Sequence, residues 1–497
     1  MTAGIVSWGT YLPYWRLPRA AIGQVLGSGG GRGARAVASY DEDTTTLAVE
    51  AGRRALAVGA GMPQDLVFST PAPGYLDKTS ATTIHAALAL DRASGAYDLC
   101  GSSRSGMAAL LAALGTATSR STLVLVSDLR TGLAGSAEER DSGDGAAGFV
   151  CGPAGAVAEL IGRGAASDEF LDRWRVPGEI GSHTWEERFG EEQYVPLARE
   201  AFAAALKDAG VTEGEVDHAV VTGLHVRAVK AVASGLGVAA ERMAPDLTPS
   251  VGNLGAAQAG LALADVLERA RPGEVVALLS LADGADALIL RTTEALAGAQ
   301  RSRHQAAVPT VVQQIAAGRD DLSYASFLSW RGQLSKEPPR RPDPERPGAP
   351  TVHRSEAWKY AFAASRCTAC GFRHMPPTRA CLSCRAIDQM HSERLADVPG
   401  TVATFTIDHL AYSLSPPVVG VIVDFDGGGR YRCEITDVRP DELVIGARVE
   451  MTFRRIWTAQ GVHNYFWKAR PAGRADTAGT TDTAGTTGTA GTPSEGN

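Results

Sequence analysis

Four features are missing from this chain of 497 residues. There is no excess of positive charge, since 48 Lys and Arg against 55 Asp and Glu leave a formal net charge of −7. A protein built to grip phosphate backbones is normally basic, so a nucleic-acid partner is not expected. Nowhere does an apolar stretch run long enough to span a bilayer as a helix, roughly 18 residues or more, so no membrane partner is expected either. The opening MTAGIVSWGTYLPYW has neither a basic n-region ahead of an apolar stretch nor a small-residue cleavage pattern, which points to a cytoplasmic protein. Finally, the seven cysteines form no disulfide framework: four crowd between 367 and 384, while Cys100, Cys151 and Cys433 are scattered. That distribution fits a reducing compartment and one metal site.

What is present describes a globular protein with a mildly acidic surface, 44% hydrophobic and 21% charged. At roughly 150 residues per domain its length suggests about three structural units. From residue 1 to about 291, short apolar runs such as STLVLVS and EVVALLS alternate with Ala/Leu-rich amphipathic stretches such as MAALLAALGTA and AGLALADVLERA. Strands alternating with helices predict an α/β layer structure with buried sheets. The region also repeats itself. Tyr97-Asp98-Leu99, a Ser/Gly turn, a helix, the strand TLVLVSD and Asp144-Gly145-Ala146 recur about 150 residues later as Pro245-Asp246-Leu247, a Ser/Gly turn, a helix, EVVALLS and Asp283-Gly284-Ala285. We read two duplicated halves, 1–165 and 166–292.

Beyond them the character changes. A Pro- and charge-rich connector over 293–350 has SYASFLSWRGQL as its only apolar piece and is expected to lie across the first domain while burying little. A helix over VHRSEAWKYAFAAS then leads into the cysteine cluster, within a unit spanning 351–395. Five β-rich runs over 396–471 predict a small closed barrel, and 472–497 is a low-complexity Thr/Ala/Gly tail expected to be disordered.

Cys367, Cys370, Cys381 and Cys384 form C-x2-C-x10-C-x2-C, two knuckles that can each offer two thiolates to one tetrahedral ion, with Gly371 supplying backbone freedom after the first. Four protein ligands leave no open coordination position, so the expected Zn²⁺ is structural and not catalytic. Arg366, Arg373, Arg379 and Arg385 nearby give a nucleic-acid zinc ribbon some support, but few aromatic stacking residues follow in basic surroundings. No βαβ context surrounds the CxxC pairs, which argues against redox use.

Three residues in the duplicated region stand where chemistry can be placed. Ser103, in CGSSRSG, immediately precedes a predicted helix whose free N–H groups would stabilise an oxyanion. His225 follows the apolar strand AVVTGL, and Asn253, in VGNLGAAQAG, holds the helix-start turn that matches Ser103 in the second repeat. If the halves pack about a pseudo-twofold, a nucleophile, a base and an amide donor converge. Each also has an ordinary structural role available: N-cap, satisfied interior histidine, and αL or capping residue. Arg104, Ser105 and His183 are further candidates for a pocket lining, Arg104 meeting either an anionic ligand or a helix-face Asp, whereas His85 is expected to pack on a helix.

GIVSWGTYLPYWRLPR, ASYDEDTTTLAVEAGRRAL, SDLRTGLAGSAEERDSGDGAAGF, ERFGEEQYVPLAREA and SVGNLGAAQAGLALADVL resemble, in order as well as content, segments of hydroxymethylglutaryl-CoA synthase-like members of the thiolase superfamily. The resemblance covers about 1–291 and implies a five-layered αβαβα fold of two similar halves, a homodimer, and acyl-CoA or acyl-carrier-protein thioesters as ligands. The later part, with GRYRCEITDV and YFWKARP, resembles zinc-ribbon plus OB-fold proteins that accompany thiolases as partner or acyl-CoA-binding modules. His225 and Asn253 fall on the family's His and Asn, but the nucleophilic Cys position, three before Gly106, holds Ser103. Cys100 lies three residues earlier, in the approach to the turn. STPAPGYLDK, where the family's catalytic Glu belongs, has no carboxylate before Asp77. A serine hydroxyl needs a base during attack, for which His225 is the evident choice, and without the Glu the aldol addition lacks its general acid/base. What survives is an acyltransferase or condensing-type enzyme on acyl thioesters, limited to Ser-linked transfer, decarboxylation or retro-type C–C cleavage. The alternative is a noncatalytic acyl-CoA-binding or scaffold subunit.

Overall fold

The computed structural model describes residues 3–473 apart from 60, 341 and 343, so the expected tail lies almost entirely outside the described residues. The first half runs β1 (Gly4–Tyr11), α1 (Thr44–Leu56), β2 (Asp65–Thr70), β3 (Gly95–Cys100), α2 (Arg104–Thr116), β4 (Thr122–Asp128) and β5 (Gly145–Gly152). The second runs β6 (Ala158–Ala166), α3 (Glu187–Ala209), β7 (His218–Gly223), α4 (Val226–Gly235), α5 (Gln258–Arg269), β8 (Val275–Leu281) and β9 (Ala285–Thr292). Their strands join in the order β7-β8-β9-β6-β1-β5-β4-β2-β3. Read outward from the centre, the halves match pairing for pairing. β1/β5 and β6/β9 are antiparallel, β5/β4 and β9/β8 are antiparallel, and β4/β2 and β8/β7 are parallel.

The duplication fails at one edge. Beyond β2 the first half adds β3, whereas beyond β7 there is, among the described residues, only an isolated bridge between Ala219 and Met243. Residues 245–247, which the repeat sets against 97–99, lie outside the sheet, and Pro245 has no N–H to give a ladder.

Helix α1 covers β1, β5 and β4, α3 covers β6, β9 and β8, and α2 with α5 lie between the two halves, giving the α–β–α–β–α layering. The outer layers approach closely because glycines face them: a Cβ on Gly9 or Gly164 would collide with the carbonyl of Ala51 or Ala201. Helix α5 carries the polar residues Gln258, Asp265, Glu268 and Arg269, yet both of its faces meet protein, and Leu261, Leu263, Val266 and Leu267 are fully buried. Each such side chain contributes roughly 1.5–3 kcal/mol relative to exposure. Asp43 and Thr46 start α1 with a capping box, each side chain accepting the other's backbone N–H at 2.9 Å.

The connector is more structured than its composition suggests. It forms α6 (Ala295–Gln305), α7 (Val311–Ala316) and α8 (Tyr324–Trp330), and it buries polar side chains with partners already supplied. Arg303 lies 4.5 Å from the Trp8 ring centroid and donates to the Trp8 carbonyl. Gln314 donates to Thr10 Oγ1 at 2.8 Å and accepts from Leu12 N at 2.9 Å. The single helix expected over VHRSEAWKYAFAAS is also corrected: α9 (Ala349–Arg354) and α10 (Glu356–Lys359) are short, and AAS belongs to β10 (Ala363–Cys367). Phe362, at φ 53°, turns the chain out of helix, and β10 pairs with β12 (Met390–Arg394) while β11 (Arg373–His374) covers its other edge.

The barrel follows as β13 (Gly400–Asp408), β14 (Val418–Phe425), β15 (Arg430–Glu434), β16 (Arg448–Ala459) and β17 (Val462–Pro471), in the order β15-β14-β13-β16-β17. A bridge from Ile435 to Ala469 closes it. Its contact with the layered body is a buried ionic seam. Glu50 of α1 meets Arg470 at 2.7 Å, Asp41 meets Lys468 at 3.0 Å and Arg454 at 3.2 Å, and Asp43 accepts from Tyr465 Oη at 2.8 Å.

Candidate active site

The two helix-start turns meet where the halves pack. A Cβ on Gly106, in the first turn of α2, would stand 2.7 Å from the Ala256 carbonyl in the turn carrying Asn253. That second turn is glycine-dependent. Gly252 (φ 79°) lies hard against the Ser142 carbonyl and Gly255 (φ 54°) against the Asp128 carboxylate, which also accepts from Ala256 N at 3.1 Å. Asn253 is thereby fixed: Nδ2 donates to Gly223 O at the end of β7 (2.8 Å), and Oδ1 accepts from Gly255 N (3.0 Å). Since Nδ2 carries two hydrogens, one remains to be directed at a ligand.

His225 caps α4, its Nδ1 accepting from Ala228 N at 3.1 Å. An Nδ1 that accepts leaves the proton of the neutral ring on Nε2, and that Nε2 is buried without a partner among the described residues. His225 is therefore held as a donor, and the role of base for Ser103 has no free lone pair in this arrangement. Beside it stands a carboxylate that sequence reasoning did not single out. A Cβ on Gly190 would collide with Asp172 Oδ1 and stand 2.7 Å from His225 Nε2, so the absence of a side chain at 190 is what lets the two groups share one pocket. Burial raises the Asp172 carboxyl above its ordinary value, with His225 pulling the other way. The Tyr194 ring closes that side, its centroid 6.0 Å from that of His225.

His225, Asn253 and Asp172 line one cavity of about 560 Å³. Its lining includes the cations Arg19, Arg140, Arg227 and Lys230, interspersed with Glu138, Asp141, Glu187 and Asp246. The first three are ion-paired to Asp141, Glu187 or Glu191, whereas Lys230 makes no ion pair among the described residues. These cations are spread over distant segments, so no linear basic patch announced them. A second cavity of about 600 Å³, walled by Val220, Val229 and Met243, also reaches Asn253.

Ser103 does not line either cavity. It stands half-exposed at the head of α2, without a side-chain bond capping the helix. Arg104 turns out to serve the fold: its guanidinium bonds Asp286 at 2.8 and 3.2 Å and the Asp283 carbonyl at 2.7 Å, tying α2 to the β8–β9 turn. Ser105 lies beside it, next to Gly101. Cys100 ends β3, where burial and then Asp98 raise its thiol. His183 stacks on Trp174 with ring centroids 5.4 Å apart and His85 meets the Asp91 carbonyl at 2.9 Å; neither lines the cavity. Asp77 is exposed, in the loop whose Tyr75 is gripped by the barrel through His463 N at 2.7 Å.

In the ribbon, the four sulfurs of Cys367, Cys370, Cys381 and Cys384 lie within 4.8 Å of one another, with Cys367–Cys384 and Cys370–Cys381 each 3.6 Å apart. Zn–S bonds of about 2.3 Å in a tetrahedron need sulfurs about 3.8 Å apart, so the donor set fits. Gly371 sits at φ 77°, as the knuckle turn requires.

Comparison with known proteins adds kinship to geometry. Residues 393–454 match the family model "ChsH2, C-terminal OB-fold domain", and 206–291 match "3-Oxoacyl-[acyl-carrier-protein (ACP)] synthase III C terminal". The hydroxymethylglutaryl-CoA synthase of Aeropyrum pernix is 31% identical over 349 residues, covering 67% of this chain and 95% of that protein, and the synthase of Pyrobaculum neutrophilum is 28% identical over 67% and 97%. Among solved structures, MvaS in complex with 3-hydroxy-3-methylglutaryl coenzyme A superimposes with a TM-score of 0.57 at 20% identity, covering 69% of this chain and 95% of that one. A curacin-pathway HMG synthase in complex with acetyl donor-ACP gives 0.56 at 18%, over 67% and 88%.

Proposed function

Because the chain belongs to the hydroxymethylglutaryl-CoA synthase family of thiolase-like condensing acyltransferases, we propose that it acts on acyl-CoA or carrier-bound acyl thioesters through a thioester enolate held by His225 and Asn253. The observation that carries this reading is the buried, unpartnered Nε2 of His225 in a cavity shared with Asn253. Two N–H donors directed at one carbonyl oxygen stabilise the charge that develops there when a bond to the α-carbon forms or breaks. Asp172 is the carboxylate placed to take or return a proton, a task the family's Glu cannot perform here. Among the cations of the lining, Lys230, which makes no ion pair among the described residues, suits the phosphates of CoA or of a phosphopantetheinyl carrier. The apolar branch past Val229 and Met243 suits an acyl chain. Ser103 is the proposed acyl acceptor in a transfer step, and it would need a base other than His225 Nδ1. Cys367, Cys370, Cys381 and Cys384 would hold a structural Zn²⁺.

Intact-protein mass spectrometry after incubation with a panel of acyl-CoA thioesters, wild type against Ser103→Ala, tests the covalent part. An adduct lost in the variant supports a serine acyl-enzyme. Exchange of the thioester's α-hydrogens with deuterated water, lost in His225→Ala while no adduct forms, supports enolate chemistry without acylation. The noncatalytic reading is favoured by the position of Ser103 outside both cavities, and it is the outcome if neither signal appears.

A further inference from the structure

The barrel has a cavity that the condensing reading leaves unused. It is a cleft of about 620 Å³ between α10 and the barrel wall. Its lining is aromatic: Trp358 meets Tyr431 edge-on at 5.0 Å between centroids and Phe466 at 5.4 Å, and Trp457 stands at its side, 38% exposed. Lys359 lines the same cleft. Its Nζ donates to Asn464 Oδ1 and lies 5.7 Å from the Tyr360 ring centroid.

The other charged groups of the cleft are occupied elsewhere. Asp408 accepts the backbone N–H groups of Leu410 and Ala411, Glu434 and Lys468 pair at 2.7 Å, and Arg432 adds a cation, not a partner. Among the described residues no carboxylate forms an ion pair with Lys359, and burial pushes its amine down to about 8. An exposed lysine is neutral for about one molecule in a thousand near pH 7.5, whereas an amine with that value is neutral for about a quarter. Only the neutral form is a nucleophile.

We propose that Lys359 is a covalent capture site for aldehydes or ketones that carry a flat apolar body. The Nζ lone pair adds to the carbonyl carbon, and the carbonyl oxygen takes a proton to give a carbinolamine. Loss of that hydroxyl with a proton, as one water, leaves the C=N bond; no oxidant or reductant is involved. Asn464 holds the amine by accepting one of its hydrogens, while Trp358, Tyr431 and Phe466 offer faces and edges to the apolar body. The same wall that desolvates the amine selects what reaches it.

The test uses the full chain, 2-naphthaldehyde and sodium cyanoborohydride at pH 7.5, with peptide mass mapping of the reduced adduct. Expected is labelling of Lys359 at least tenfold faster than of any other lysine, saturable in aldehyde, slowed by unreactive 2-naphthalenemethanol, and absent in Lys359→Arg. Trp457→Ala keeps the amine and opens the cleft, so saturation should shift to at least tenfold higher aldehyde. That variant keeps the proposal testable if Lys359→Arg does not fold. Labelling of Lys359 at the rate of surface lysines, or a rate linear in aldehyde and indifferent to the alcohol, would overturn it.

Discussion

At the residue scale, the informative fact is which ring nitrogen of His225 is committed. The sequence put a histidine at a strand end and could equally make it a base or an interior group. The cap bond to Ala228 N decides for a donor at Nε2. No pattern in the sequence reveals a tautomer, because it depends on the backbone geometry of a turn. Asp172 was illegible for a related reason: it lies far from His225 in sequence, and its only local signal is an unremarkable acidic stretch, whereas Gly190 on α3 is what leaves room for the pair. If Asp172 moves the proton, Asp172→Asn should lower kcat by roughly 10²-fold or more with KM little changed. Because its carboxyl is raised by burial and must be ionised to act as a base, the wild-type rate should fall on acidification from above the ordinary carboxylate range. A pH–rate profile of the variant, measured on residual activity, should lack that limb.

At the scale of elements, periodicity and turn chemistry were sufficient where local propensity and tertiary packing agree. The helix read from SGMAALLAAL and the strands TLVLVSD and EVVALLS are α2, β4 and β8. They failed where pairing across the chain decides, as at AAS, which reads as helix by itself and becomes β10 because β12 pairs with it. Composition also misled in the connector, since Arg303 and Gln314 look like surface residues until Trp8 and Thr10 are placed beside them. The ribbon was legible from cysteine spacing alone, because few other constraints produce two such knuckles. Its strands are short and its apolar contribution small, so the Zn²⁺ proposed above should supply much of its stability. Removing metal with a strong chelator, or making Cys381→Ser, should expose 367–394 to proteolysis while leaving the layered body intact. Limited digestion followed by mass mapping, alongside zinc content, reads both outcomes.

At the scale of the whole molecule, two surfaces carry predictions. The outermost strand β3 presents a free edge with Tyr97 58% and Leu99 37% exposed, which suits the homodimer that the family resemblance implies. Light scattering should give twice the chain mass for wild type and the chain mass for Tyr97→Asp. The second surface is the seam to the barrel. Burial alone would raise the Glu50 carboxyl, but Arg470 and then Arg53 outweigh it and bring it down to about 2. A depressed folded-state value stabilises above the ordinary carboxylate range and is lost as pH falls from about 4.5 towards 2, a difference of roughly 3 kcal/mol. Denaturation midpoints should therefore drop over that interval in wild type and flatten in Glu50→Gln, at the cost of lower stability at neutral pH. The seam has one further consequence. Asp41, Asp43 and Glu50 lie on one side and Arg454, Lys468 and Arg470 on the other; the three cations each keep a carboxylate within the barrel, Asp437, Glu434 and Glu450, whereas Asp41 and Asp43 take their ion pairs from the barrel. Cut apart, the body would be left with an acidic socket whose Asp41 and Asp43 lack a cation, while the barrel would keep its own carboxylate partners. The covalent connection then sets their ratio at one to one, and salt concentration would govern how readily separated pieces find each other.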